Sequence, residues 1–548
     1  MVRTSIDFIY DNSISRSYND TYTIADRGKY YVSNSNNSEM NNDFLLNYNH
    51  NITPDFSLNV SGGGNMLIQK SYYLNTDNGD LLKPDLFTVA NASALIANEG
   101  GATKKLNSLY AFATLGYKNY LFLDITGRND WSSTLPSTSW SYFYPSVGLT
   151  WVASDMIKSL PGWFTFAKLR ASIAQVGNDT DPYRLDPIYN FGTGGALGFA
   201  TRNGTQPAAN LKPELTTSKE LGMDIRFFRN KVGLDFTWYR SNSKNQLLTV
   251  PLPSPSGYDN QFINAGNIQN TGWEGTLNLK PLDGQLTWDI AFNFSHNKSL
   301  VVSLSEGLTS YVIRGRSWMT TVKVVEGHEF GDIYTRGFLR NAAGDVLVNG
   351  STGLPLLTPG QSLPMGNYNP NMLAGMRNSF TYKEFDFSFL IDARFGGDVF
   401  SFTEANLASD GFSDYTLQGR EGFVVKGVVQ TLDASGNVVS ETPNTQSVTS
   451  EAYWQILGGR NTPVGEVFKY DGTNVRVREA LLGYTKALPN FFIKNVRIGI
   501  FGQNLFFIVN KAKRLDPNLM VGNTNIQGTE GFGLPGTRTI GMNLKLTF

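Results

Sequence analysis

Arg538-Thr-Ile-Gly-Met-Asn-Leu-Lys-Leu-Thr-Phe548 closes the chain, and the rest is read from it. Side chains on a strand point alternately to its two faces. Ile540, Met542, Leu544, Leu546 and Phe548 therefore share an apolar face, and Thr539, Gly541, Asn543, Lys545 and Thr547 a polar one. In a soluble sheet this pattern marks a half-buried strand. A strand of about ten residues ending in an aromatic also fits a transmembrane barrel, apolar toward lipid and polar toward the lumen. Recurrence of the pattern separates the two.

The pattern recurs. Leu121, Leu123 and Ile125 oppose Asp124, Thr126, Arg128 and Asp130; Leu221, Met223, Ile225 and Phe227 oppose Glu220, Asp224 and Arg226. Leu286, Trp288, Ile290, Phe292 and Phe294 oppose Asp289, Asn293 and Ser295, and Phe385, Phe387, Phe389 and Ile391 oppose Asp386, Ser388, Asp392 and Arg394. Less regular strands are expected near 309–325, 331–340 and 371–382, and the one near 474–486 alternates poorly. The longest irregular insertion runs from about 398 to 473, with Glu451–Leu457 a candidate short helix.

Connections near 51–55, 117–119, 154–163, 228–231, 281–285, 325–331, 382–384 and 486–494 are short, and those between them mostly long. Tight turns at one end and generous loops at the other are the habit of outer-membrane barrels, periplasmic below and extracellular above. Counted back from a periplasmic C-terminus, about eighteen strands fit, the first of them, Val2–Tyr10, running outward. The expected fold is all-β: a transmembrane, antiparallel, up-and-down barrel.

Composition agrees. No Pro/Ser-rich linker or charge block divides the 548 residues, so one large barrel domain is the natural organisation. Aromatics at 13% and 55 glycines suit girdles, bulges and tight turns. Lys plus Arg equals Asp plus Glu at 46 each, which gives nucleic acid no basic footprint. Cysteine is absent, excluding disulfides, thiolate metal sites and cysteine nucleophiles. No run of eighteen apolar residues exists, and a barrel strand hides its hydrophobicity in every second residue.

From about residue 120 onward the residues become more specific. Gly127-Arg128-Asn-Asp130-Trp-Ser132-Ser133 and Phe143-Tyr144-Pro145-Ser146-Val147-Gly-Leu-Thr-Trp151 resemble the barrel signature of SusC/RagA-type TonB-dependent transporters. Further blocks follow in the same order: Leu169-Arg170-Ala-Ser172 with Gly177-Asn178, Leu211-Lys-Pro213-Glu214 with Glu220-Leu221-Gly222-Met-Asp224, Asn264-Ala265-Gly266-Asn-Ile268 with Asn270-Thr-Gly272-Trp-Glu274, Gly502-Gln-Asn504-Leu505, and Pro535 to Phe548. The resemblance implies a barrel of about 22 strands with a plugged lumen. It also implies a SusD-like surface lipoprotein over the mouth, energy coupling through TonB acting on the plug, and glycan or peptide cargo imported across the bacterial outer membrane. No plug or signal peptide is recognisable before the first strand, so the expectation is one partial barrel domain over 1–548 with an extracellular insertion at about 398–473, the C-terminal portion of a split or longer transporter. A passive or structural barrel, such as a pore, adhesin scaffold or non-transporting fragment, is the alternative from another class, and a soluble β-rich binding protein a third.

Residues that bear chemistry are few. His50, His296 and His328 lack metal-ligand spacing, and no carboxylate pair marks a catalytic centre, so neither an enzyme nor a resident cofactor is expected. Gly192-Thr-Gly-Gly-Ala-Leu-Gly198 has no strand-to-helix unit around it and reads as a loop. Asp179, Asp181 and Asp186, or the stretch Asp433–Asn437, are candidates for calcium in a loop, with turn chemistry as the competing account. Trp131, Trp140, Tyr142, Tyr453 and Trp454 fall at or beyond the outer rim, where flat rings stack on substrate or anchor a partner, unless they simply form the aromatic girdle. Arg128 and Asp130 face the lumen and are expected to pair with each other or with neighbouring strands, in a structural role.

Overall fold

Alternation dictates strands, and the computed structural model contains them. It describes residues 1–21, 24–192, 198–305, 307–313, 319–519, 527–534 and 536–548, without the side chains of 77, 78 and 254. Among the described residues, seventeen strands share one hydrogen-bonded sheet, and one of these is the two-residue Thr205–Gln206. The remaining sixteen are β1 Val2–Ser17, β2 Lys29–Thr53, β3 Phe56–Asn78, β4 Leu95–Tyr117, β5 Leu121–Ser132, β6 Ser141–Val152, β7 Phe164–Asn178, β8 Glu214–Phe227, β9 Val232–Pro251, β10 Asn260–Asp283, β11 Leu286–Ser303, β12 Met372–Tyr382, β13 Phe385–Phe395, β14 Asn474–Ala487, β15 Asn495–Asn510 and β16 Thr539–Thr547.

The chain groups into two compact units: Met1–Asp155 with Arg170–Lys219 and Asn242–Gly266, and Met156–Leu169 with Glu220–Ser241 and Asn267–Phe548. In the first, β1 to β6 pair antiparallel in chain order. In the second, the part of β10 from Asn267 onward pairs with β11, and β11 to β16 continue in the same manner. Both units are meanders. Their short connections are built for reversal: Lys118 and Asn119 both take positive φ, 49° and 59°, the geometry that joins right-twisted strands over two residues.

The apolar faces point outward. Ile540 and Met542 are each 72% exposed, and Leu109, Ile125, Phe143 and Leu149 are exposed as well. A soluble sheet would hide these side chains; a lipid-facing one presents them. The opposite face is a polar ladder. In the first unit Arg3 pairs with Asp43 at 2.8 Å, and in the second Arg497 pairs with Asp386 at 2.5 Å and Arg478 with Asp392 at 2.6 Å.

The structure refines the sequence reading in three places. The Ser/Asn-rich stretch before Asn41, which alternation does not mark, is strand: β2 and β3 stay paired from Val32–Thr76 down to Thr53–Phe56. At about 3.3 Å per residue their 25 and 23 residues far exceed the hydrocarbon thickness, so their outer halves stand in water, where β2 turns largely polar on both faces and alternation fades in both strands while backbone pairing persists. Second, 309–325 and 331–340 are not barrel staves. Ser310–Ile313, Thr320–Val325, Asp332–Thr335 and Leu363–Asn367 form a separate four-stranded sheet, so 325–331 is not a turn of the short-loop end, and among the described residues the long strands of the main sheet number sixteen against the about eighteen expected. Strands of four to six residues are too short to cross, and Val322 and Val324 are buried by protein instead of lipid. Third, the weak alternation of 474–486 comes from bulges between Val475 and Arg476 and between Val477 and Glu479, each of which puts neighbouring side chains out of phase.

Candidate functional site

At the long-loop end of the second unit, the described parts of the connections 304–371, 396–473 and 511–538 fold onto each other as a packed body. Asp398–Ser401 pairs antiparallel with Lys469–Asp471 and parallel with Thr529–Glu530. Beside this small sheet, Met319, Val322, Ile333, Tyr368, Phe400, Phe402 and Phe468 make a closed core. Polar links fasten the seams. Glu530 accepts hydrogen bonds from Ser401 Oγ at 2.7 Å and Thr403 Oγ1 at 2.6 Å, and Arg514 pairs with Asp414 at 2.6 Å.

Two helices are set by this core. In α1, Phe402–Ser409, the Ser401 hydroxyl caps the first turn by accepting from the Glu404 amide at 3.1 Å. In α2, Ser450–Leu457, the Thr449 hydroxyl does the same for the Ala452 amide at 3.2 Å. The second coincides with the helix expected at Glu451–Leu457. The buried Glu404 carboxylate accepts from Tyr415 Oη at 3.1 Å and Ser413 Oγ at 3.3 Å. Burial, with that carboxylate beside it, pushes the Tyr415 phenol up. The Arg514 guanidinium holds the Asp414 carboxyl below its usual range.

Between α1, residues 410–420 and α2 lies an open groove of about 600 Å³, lined by Ser409, Asp410, Arg420, Glu451, Trp454 and Gln455 among others. Trp454 is held from behind by Tyr415 at 4.7 Å and Phe468 at 6.4 Å between ring centroids. A fixed indole flanked by a guanidinium, carboxylates and an amide suits a ligand with an apolar face and a hydrogen-bonding edge. Arg420, Ser409 and Asp410 were not singled out in sequence; each is an ordinary loop residue until α1 and α2 bring it beside the indole.

The other aromatics lie elsewhere. Tyr453 does not line the groove but is half-buried against Phe423 at 5.1 Å and edge-on to Trp454 at 5.2 Å, and burial raises its phenol. Trp140 is 51% exposed on the 133–140 loop, where its carbonyl accepts from the Ser132 amide at 2.9 Å. Tyr142 is buried with Leu135 and Leu211, 6.1 Å from the Tyr144 ring. Trp131 stands opposite Asn107 and Ser141, on the face of β5 that carries Leu123 and Ile125.

Arg128 and Asp130 do meet, on the inner face. Arg128 Nε donates to Asp130 Oδ1 at 2.7 Å, Tyr144 Oη donates to Asp130 Oδ2 at 2.7 Å, and the Arg128 guanidinium also donates to Ser108 Oγ at 2.8 Å. Asp130 is 3% exposed, so its charge needs all of these partners.

Asp179, Asp181 and Asp433, among the calcium candidates, have protein partners. Asp179 pairs with Lys104 at 2.5 Å and accepts from Ser132 Oγ at 2.5 Å, and Asp181 pairs with Arg184 at 3.0 Å. Asp433 closes a hairpin tip, accepting from the amides of Ser435 at 2.9 Å and Asn437 at 2.8 Å, which holds its carboxyl below the usual range. Among the described residues no group of three or more His, Asp or Glu is placed to hold a metal. His50 stacks on Tyr48, His296 bonds the Asn371 carbonyl, and His328 faces Asp332 at 3.4 Å. Of the glycine-rich loop 192–198, residues 193–197 lie outside the described residues.

Comparison with known proteins follows the same lines. The family model for TonB dependent receptor-like β-barrels matches residues 2–417. TonB-dependent receptor P26 of Formosa agariphila is 22% identical over 599 residues, covering 100% of this chain and 58% of that protein. TonB-dependent receptor SusC of Bacteroides thetaiotaomicron is 25% identical over 445 residues, 75% of this chain and 41% of that protein. The solved structure of the RagAB peptide transporter superposes with a TM-score of 0.78 at 15% identity, covering 100% of this chain and 59% of that one. The chain spans about half the length of the curated relatives it matches.

Proposed function

Since this chain belongs to the TonB dependent receptor-like β-barrel family, with a barrel of the SusC/RagA type seated in the bacterial outer membrane, we propose that it forms the barrel and outer vestibule of a nutrient importer. In this proposal the cargo is a glycan or peptide fragment, a SusD-like lipoprotein closes over the vestibule, and TonB supplies the pull through a plug. The protein binds and passes its cargo without altering it.

One observation carries the proposal. The three connections of the second unit are not slack loops but a body with its own core, and they hold Trp454 beside Arg420, Glu451 and Gln455. A surface ordered before the ligand arrives loses little entropy on binding, as a receptor requires. In each unit the polar face carries opposite charges already paired, Arg3 with Asp43 and Arg128 with Asp130 in the first and Arg478 with Asp392 and Arg497 with Asp386 in the second, which suits a surface that meets water.

Affinity purification of the full chain from native outer membranes, followed by mass spectrometry, tests the proposal. Co-purification of a surface lipoprotein, together with quenching of tryptophan fluorescence by oligosaccharide or peptide and loss of that quenching in Trp454→Ala, is the expected result. A steady unliganded conductance in planar bilayers, with no lipoprotein recovered, would indicate a passive pore instead.

A further inference from the structure

On the outward face of the first unit, small residues line up across four strands. Leu46 of β2 pairs with Gly62 of β3, Gly62 with Ala111 of β4, Ala111 with Gly127 of β5, and Gly127 with Pro145 of β6. The row above consists of Phe44, Gly64, Leu109, Asn129 and Phe143, and the row below of Tyr48, Val60, Ala113, Ile125 and Val147. A trough of about 660 Å³ results, walled by Phe44, Leu46, Tyr48, Val60, Leu109 and Phe143.

Its shape has a physical cause. The Phe44 ring lies across Gly64 and the Phe143 ring across Gly127, where a Cβ would stand 2.6 Å and 3.0 Å from them. Gly62 has no such cover: the nearest atom to a Cβ there is the Tyr110 carbonyl oxygen at 4.0 Å. Four strand spacings make the trough roughly 19 Å long. In a membrane an unfilled trough forfeits its dispersion contacts, so something from the bilayer lies in it.

The residues above say which end of that occupant carries charge. Lys105 and Lys70 lie on the same outward face, Lys105 opposite Ile68 and Lys70 opposite Thr103, which makes them diagonal neighbours. Both are exposed, and neither has an ion-pair partner among the described residues. Lys105 is six residues beyond Ala111, roughly 14 Å along the membrane normal for a strand tilted about 45°. That is about half the apolar band of roughly 25 Å. Ala111 is equally six residues from Tyr117, where β4 ends at the tight turn, so the trough lies midway between that turn and the lysines.

We propose that this face is a specific site for a phosphorylated outer-leaflet lipid, its acyl chain in the trough over Gly62 and Ala111 and its phosphate between Lys70 and Lys105. The site depends on the membrane location alone and not on the cargo.

Native mass spectrometry of the full chain in micelles, titrated with dioleoyl phosphatidic acid or dioleoylglycerol, tests it. Wild type is expected to retain one phosphatidic acid. Gly62→Leu fills the trough and lowers retention of both lipids at least tenfold. The double variant Lys70→Gln/Lys105→Gln lowers phosphatidic acid retention on the order of tenfold to thirtyfold and leaves dioleoylglycerol unchanged. Ala111→Leu serves as a second trough filler should Gly62→Leu fail to migrate as a folded barrel. Equal phosphatidic acid retention in wild type and the trough-filled variant would overturn the proposal, and so would retention of phosphatidic acid unchanged by loss of the two lysines.

Discussion

Replacing Phe468 with alanine is the sharpest probe of the outer body. The ring is 1% exposed and packs among Met319, Ile333, Phe400 and Phe402, with Trp454 against its edge. Removing a buried phenyl group costs about 3–5 kcal/mol, because the transfer energy is lost and a cavity remains. The body is held by its own core and by a handful of polar seams, so the cost falls on its local opening equilibrium and spares the membrane strands. At 1.4 kcal/mol per factor of ten, amide protection should fall by roughly two to three and a half powers of ten. Hydrogen exchange read by mass spectrometry on peptides from 398–417 and 450–471 shows this directly, with the β5 peptide 121–132 unchanged. A fall of less than threefold in the loop peptides, or an equal fall in β5, would refute the idea of an independently packed body.

Other perturbations separate the remaining parts. Asp130→Asn weakens the charge-assisted bonds to Arg128 and Tyr144 and should cost about 1.5–3 kcal/mol, seen as a lower unfolding midpoint in urea. Tyr144→Phe combined with it should be less than additive, because the two share one network. Gly63→Val should abolish the heat-modifiable folded band on gels, since its Cβ would meet the Phe44 carbonyl oxygen and come within 2.8 Å of the Tyr110 ring; Gly62→Ala, facing open space, should fold normally. The Asp414–Arg514 pair lowers the Asp414 carboxyl, so its contribution is present above the ordinary aspartate value, about 4, and is lost as pH falls through the lowered one. Exchange in peptide 411–417 should therefore be indifferent to pH between about 8 and 5, after correction for intrinsic rates, and should rise only in stronger acid.

Much of the barrel shows in sequence because lipid enforces a strict rule on one face of each strand. Where the rule lapses, so does the reading. The outer halves of β2 and β3 leave the hydrocarbon and lose alternation, although their backbones remain paired. The strand Thr320–Val325 alternates as a membrane strand does, and its length betrays that protein buries it, whereas Asp332–Thr335 is buried on both faces and does not alternate. That Arg128 and Asp130 share one strand face was legible from their i, i+2 spacing, but that they meet each other, with Ser108 and Tyr144 of neighbouring strands joining them, comes from the structure. The groove at Trp454 was half evident: the indole stood out, but Arg420 and Asp410 reach it only through tertiary folding of a long insertion. Trp131 and Tyr142 show the limit of rim aromatics as a signal, since strand parity puts one on the lipid-facing side and burial puts the other in a small core.

The central claim is that one face of each long strand meets lipid and the other an aqueous interior. A chain without cysteine is ready for a single-cysteine scan from 121 to 130 in liposomes, with a spin label at each position and both a lipid-soluble and a water-soluble relaxing agent. The account predicts relaxation by the lipid-soluble agent at 123 and 125 and by the water-soluble agent at 124, 126 and 128, with a period of two. Equal access of the water-soluble agent to all positions, or a period near 3.6, would contradict it.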